Sequence, residues 1–146
     1  MPISMSLEDY LECIYMLILA KKPARVRDIA AALGVKTPSV VNGVNGLLRQ
    51  GLVSHEPYGS VELTPAGQRK AVEILDRHEM LTSFLDSLGV DPDTAEADAC
   101  RMEHILSEPT LAAIRRYLSR HKIKIIPARK IKAKKPAPPA APADPR

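Results

Sequence analysis

The sequence predicts a mainly α fold: a winged helix-turn-helix whose wing is a short β-hairpin, followed by a second, helical domain. Three observations predict it. Apolar residues recur at helical spacing in six segments, each bounded by a cap, a proline or a glycine. Two of these segments are joined by a short Gly-containing turn, the helix-turn-helix pattern. Directly behind them, two short stretches alternate with period two around a Pro-Tyr-Gly turn.

Leu7, Leu11, Ile14 and Ile18 form one apolar stripe of a first helix over roughly 6–21, which Lys21-Lys22-Pro23 ends. Val26 to Leu33 is a short second helix with Ile29, Ala30 and Leu33 inward, and Gly34 suits the residue after its end. Thr37 is a candidate N-cap and Pro38 fits the first helical position, so a third helix starts there. Val40, Val41, Val44, Leu47 and Leu48 give its buried side and Gly51 closes it. Thr37, Ser39, Asn42, Asn45 and Arg49 are left facing outward. Gly43 and Gly46 cost about 1 kcal/mol each against Ala inside a helix. Close approach of a neighbouring helix or of a DNA backbone would account for them.

The alternating stretches 52–56 and 60–63 are the strands of the wing, with Pro57-Tyr58-Gly59 between them and His55 as a solvated wing residue. Thr64-Pro65 repeats the cap-then-proline start and opens the longest helix, over roughly 65–88, which Gly89 ends. Its stripe runs Ala71, Ile74, Leu75, Leu81, Phe84, Leu85 and Leu88. Asp91-Pro92 opens a fifth helix with Ala95, Ala99, Met102 and Leu106 inward. Ser107-Glu108-Pro109 opens a sixth, with Leu111, Ile114 and Leu118. These elements divide the chain into a winged-helix domain over 1–64, a helical domain over 65–120 and a basic, Pro/Ala-rich flexible tail over 121–146.

With 146 residues, 45% hydrophobic but with four Tyr, one Phe and no Trp, the core must be packed by aliphatic side chains. The net charge of +4 is misleading until it is divided. Residues 119–146 hold nine Lys/Arg and one acid, so the basic excess belongs to the tail and the preceding part is mildly acidic. Lys122, Lys124, Arg129, Lys130, Lys132, Lys134 and Lys135 could add non-specific phosphate contacts. No apolar run approaches the ~20 residues of a membrane span. The first residues lack a charged segment followed by an apolar one, so a cytoplasmic chain is expected. There Cys13 and Cys100 are read as free thiols or metal ligands rather than a disulfide.

The chemistry concentrates in one stretch. Cys100, Glu103 and His104 stand at i, i+3 and i+4, on one helix face, and a thiol, a carboxylate and an imidazole together suit a divalent transition metal. Further ligands must come from elsewhere. Asp9 and Glu12, with Cys13, share a face of the first helix, although acids in first turns also favour the positive helix end. His78 lies on the apolar stripe of the longest helix, either as a satisfied core histidine or as a ligand.

Taken together, these landmarks resemble the diphtheria-toxin-repressor and manganese-transport-regulator family of metal-dependent repressors. The resemblance covers roughly residues 6–118 and rests on five pieces in order. They are Leu7–Tyr15, the helix-turn-helix Val26–Arg49, Leu63-Thr64-Pro65-Ala66-Gly67, Arg77-His78-Glu79-Met80-Leu81 and Cys100–Ser107. It implies a winged helix followed by a helical dimerisation domain, with metal bound where helix 1 meets that domain. By position, Asp9, Glu12, His78, Cys100, Glu103 and His104 are the implied ligands. Asp9 and Glu12 match the manganese-sensing branch, whereas Cys100 matches the iron-sensing branch. Thr82 and Glu96 stand where the iron-sensing branch has Glu and His in an ancillary site, and the basic tail stands where its third domain would be.

The function expected is that of a homodimeric repressor activated by Mn(II) or Fe(II), with Co(II) or Zn(II) as possible substitutes in vitro, acting on palindromic double-stranded DNA. Thr37, Pro38, Ser39 and Asn42 are the expected base-side contacts, and Arg49 and Tyr58 the backbone contacts. A metal-independent winged-helix regulator is the alternative. A helical carboxylate metalloenzyme is a further one, against which the Glu-x-x-His repeat of di-iron bundles is missing.

Overall fold

The computed structural model describes residues 3–57 and 59–127. Six helices and one hairpin follow the order α1 Met5–Leu19, α2 Val26–Leu33, α3 Thr37–Arg49, β1 Val53–His55, β2 Val61–Leu63, α4 Pro65–Ser87, α5 Pro92–Ile105 and α6 Glu108–Arg120. The contact expected of Tyr58, and most of the basic tail, lie outside the described residues.

Local chemistry fixes the boundaries. Ser4, Thr64 and Asp91 each cap a helix by accepting a hydrogen bond from the backbone three residues on, at 3.3, 3.1 and 3.1 Å. Proline in the first turns of α3, α4, α5 and α6 adds a preset φ where no intrahelical donor is needed. Gly34, at φ 66°, takes the left-handed conformation that turns the chain from α2 towards α3.

Two expectations for α3 need correction. Thr37 lies inside the helix, and Lys36 is the N-cap without a side-chain hydrogen bond. Val41 and Leu48 are exposed, at 44% and 38%, and the buried stripe is instead Val40, Gly43, Val44, Gly46 and Leu47. The glycines explain the change. A Cβ on Gly43 would overlap the Tyr10 ring, and one on Gly46 would press on the Leu7 methyls. The bare backbone of α3 therefore lies against α1, which settles the source of both glycines as helix–helix packing.

The hairpin pairs antiparallel with Val53 opposite Leu63 and His55 opposite Val61. His55 Nε2 lies 3.1 Å from the Gly59 carbonyl and so closes the turn of its own wing. The Val61 amide also donates to the Ala24 carbonyl, which ties the wing to the loop before α2.

The core forms two clusters. Leu11, Ile14, Ile29, Val40, Leu47, Val53 and Val61 pack with Ala71 and Ile74 of α4. Met80 and Leu81 of the same helix pack with Ala99, Leu111 and Leu118. Helix α4 thus runs through both cores and is the beam joining them. Ile123 packs on the second cluster, and the Ile126 amide donates to Ser83 Oγ at 2.8 Å, so the segment after α6 begins attached to α4. Among the described residues, no helix is long and apolar enough to cross a membrane.

Candidate metal centre

The titratable residues singled out in the sequence converge where α1 crosses α4 and α5. Ligand atoms of Asp9, Cys100, Glu103 and His104 all lie within 4.8 Å of one another. Two ligands on opposite sides of a transition-metal ion with bonds near 2.0–2.3 Å are at most about 4.6 Å apart. The four atoms therefore have roughly the spread of one coordination sphere. A second group, Glu12, His78 and Glu103, meets the same limit and shares Glu103 with the first. All six residues inferred from the sequence are brought together. Cys13, the neighbour of Glu12 on α1, belongs to neither group.

The packing of each helix delivers these groups. On α5, Ala95 and Ala99 are fully buried, and Glu103, one turn further, follows the same inward stripe to complete burial. Its Oε2 lies 2.9 Å from Nδ1 of His78, itself 4% exposed on the inner face of α4. A carboxylate in such a place is costly unless cations or donors surround it. On α1, Glu12 sits beside Leu11 and Ile14 at 8% exposure, so it too is turned inward.

His104 is the most constrained ring. Its Nε2 lies 2.9 Å from Asp9 Oδ1 and 3.4 Å from Glu103 Oε1, while its Nδ1 lies 2.9 Å from Glu8 Oε2. Hydrogen bonds to Asp9, then Cys100 and Glu8, push the imidazolium pKa up to about 12, so the ring carries both protons at neutral pH. Four carboxylates, Glu8, Asp9, Glu12 and Glu103, thus face Arg77 and two imidazoles. That surplus of negative charge suits a divalent cation.

Glu8 and Arg77 are the participants that sequence reasoning missed. Arg77 Nη2 reaches Glu8 Oε2 at 3.4 Å, with both side chains largely buried. One signal was available: Glu8 and Glu12 are like charges at i, i+4, an unfavourable pair unless cations come to that face from another element.

Thr37, Pro38, Ser39, Asn42 and Arg49 are all exposed on α3. A winged helix joined through a partly buried cluster of carboxylates, imidazoles and a thiol to a helical domain defines a ligand-responsive DNA-binding regulator.

Comparison with known proteins makes this specific. Residues 3–61 match the family model of the iron dependent repressor N-terminal DNA binding domain, and residues 64–124 that of the iron dependent repressor metal binding and dimerisation domain. The chain belongs to the iron-dependent repressor family of metal-dependent transcriptional repressors, which are not enzymes. The metalloenzyme reading falls with that result. Transcriptional regulator MntR of Escherichia coli O6:H1 is 41% identical over 115 residues, covering 79% of this chain and 74% of its own. The HTH-type transcriptional regulator MJ0568 of Methanocaldococcus jannaschii is 38% identical over 124 residues, 84% of this chain and 99% of its own.

Solved structures agree on the fold. The crystal structure of T. acidophilum IdeR superposes with a TM-score of 0.71 at 28% identity, over 91% of this chain and 63% of that one. A manganese-dependent transcriptional repressor in complex with manganese gives 0.70 at 29%, over the same shares. This chain therefore spans less than two thirds of those two structures.

Proposed function

We propose that this chain is a homodimeric repressor activated by Mn(II) or Fe(II), acting in the cytoplasm on a palindromic double-stranded operator, with Co(II) or Zn(II) able to substitute in vitro. One observation carries the reading: the donor cluster joins α1, which belongs to the DNA-binding half, to α4 and α5. Asp9 and Glu12 would be the ligands from α1, His78 from α4, and Cys100, Glu103 and His104 from α5. When bound, a divalent ion supplies positive charge to the acidic pocket and a bonded link between the two halves. The residues themselves do the rest. Glu103 stands between the two donor groups, so both depend on α5. Tyr10, next to Asp9, packs on Gly43, so α3 follows the position of α1.

The proposed DNA contacts follow from the exposed face of α3. Thr37, Pro38, Ser39 and Asn42 near its start would reach base edges, while Arg49 and the wing residue Tyr58 would contact phosphates. In a dimer, the separation of two such helices must match half-sites about one turn of DNA apart, roughly 34–36 Å. Holding α1 to α5 is the means proposed here for fixing that separation. Coupling of this kind is reciprocal, so operator DNA tightens metal binding by the same factor.

Donor chemistry narrows the ion without choosing one. Carboxylates suit Mn(II), whereas a thiolate from Cys100 pulls towards Fe(II), Co(II) or Zn(II). The decisive test uses DNA selected from a random duplex pool in the presence of Mn(II). Binding to it is measured with and without Mn(II) or Fe(II), for the wild type and Glu103→Ala. The reading requires metal-dependent binding in the wild type alone; equal affinity in every case overturns it.

A further inference from the structure

We propose that Glu8 is a positioning residue for His104, holding the imidazole so that Nε2 is presented to the metal and Nδ1 carries the proton. The inference rests on the metal reading above and concerns a residue outside both donor groups.

The geometry distinguishes the two ring nitrogens. Nε2 faces Asp9 Oδ1 at 2.9 Å and Glu103 Oε1 at 3.4 Å, both members of the donor group that includes His104. Nδ1 faces Glu8 Oε2 at 2.9 Å, and Glu8 belongs to neither donor group. A neutral imidazole can bind a metal through one nitrogen only if its proton sits on the other. A carboxylate on the far nitrogen fixes that tautomer, stops rotation of the ring and raises its basicity towards the metal. Glu8 is built for that task. Its side chain is only 12% exposed, and the oxygen that meets His104 also receives Arg77 Nη2 of α4 at 3.4 Å.

The arrangement follows from helical register. Consecutive residues of α1 project about 100° apart. Glu8 and Asp9 therefore straddle the ring, one at each nitrogen, instead of crowding one edge. The imidazole of α5 is held between two side chains of α1, and Arg77 braces the outer one from α4. A simple Glu8–Arg77 ion pair would need no such contact with the histidine.

The test measures Mn(II) binding to the full chain from the electron paramagnetic resonance of free Mn(II), for wild type, Glu8→Gln, Glu8→Ala and Glu103→Ala. A second measurement reads the ¹⁵N shifts of the His104 ring in Zn(II)-loaded wild type. The expectation is a 10–100-fold loss of affinity in Glu8→Ala. Glu8→Gln, whose amide oxygen still accepts from Nδ1–H, recovers most of it. The ¹⁵N shifts should show a protonated Nδ1 and a metal-bound Nε2. Wild-type affinity in Glu8→Ala, or a metal-bound Nδ1, overturns the proposal. If Glu8→Ala fails to fold, the ring shifts of the wild type still decide. Glu103→Ala separates the two levels: wild-type affinity there removes the metal reading itself. Loss there with none in Glu8→Ala removes only the role of Glu8.

Discussion

Glu103 Oε2 lies 2.9 Å from His78 Nδ1, with the carboxylate wholly buried between α4 and α5. The same residue is common to both donor groups. It therefore has a structural duty towards His78 beside the ligand duty proposed for it, and the two can be separated. Glu103→Ala takes this acceptor from a buried ring, which costs about 1–3 kcal/mol. Glu103→Gln keeps an acceptor and costs less. Urea unfolding without metal should rank wild type, Gln, then Ala, whereas the rise in Tm on adding Mn(II) should vanish in both variants.

The environment of His104 sets a pH dependence whose sign is fixed. Its pKa rises from 6.5 in the unfolded chain to about 12 in the fold, through Asp9, Cys100 and Glu8. The stabilisation is therefore complete below pH 6.5 and is lost as pH climbs towards 12. Without metal, the stability gap between wild type and His104→Gln should be widest just below pH 6.5 and narrow steadily on the alkaline side. If the ion binds through Nε2 as proposed, it would take the place of the proton there, so Mn(II) affinity should rise about tenfold per pH unit for one proton released. Chemical denaturation and metal titration across pH check the two halves of this prediction.

The α1–α3 contact predicts a conflict between helix propensity and space. Alanine gains about 1 kcal/mol over glycine inside a helix. At Gly43 the new methyl would meet the Tyr10 ring, and overpacking of this kind costs roughly 1–3 kcal/mol. Gly43→Ala should therefore be neutral to destabilising, and Tyr10→Leu in the same chain should turn it favourable. Gly67→Ala has no such rescue, because its Cβ would strike the Leu52 carbonyl, which is backbone. Thermal unfolding of the three variants should place Gly67→Ala last.

On the DNA side, Asn42 and Arg49 should fail differently. Replacing Asn42 with Ala should change base preference at one position of each half-site, by about 1–3 kcal/mol. Arg49→Ala should weaken all sequences alike and reduce the slope of log affinity against log salt by about one. Binding to a panel of single-base operator variants at several salt concentrations separates these outcomes. Identical behaviour of the two substitutions would mean that α3 is not the reading helix.

Much of this molecule was legible before its structure. The helix starts at Thr64 and Asp91 and the glycine after α2 are local signals, and a local signal survives folding. The six donors were legible because i, i+3, i+4 spacing survives as well, and the resemblance supplied their partners across the chain. What escaped depended on a third element. Val41 and Leu48 are apolar on a helix whose neighbour takes glycines instead, so only the position of α1 shows that they face outward. Glu8 and Arg77 share no motif, being 69 residues apart, and the histidine between Glu8 and Asp9 is 96 and 95 residues away.

Tyr10 fills the space above Gly43, and the preceding residue, Asp9, reaches the imidazole of α5. One peptide bond therefore separates the two ends of the device. There is no hinge, loop or flexible spacer along this route in which a displacement could be absorbed. A shift of α1 at the ring is therefore a shift of the face that packs on α3, as in a lever rather than a tether. Under the proposed roles of Asp9 and Asn42, selection on one face of α1 is constrained by the other, and a substitution at Asp9 should also be read at Asn42.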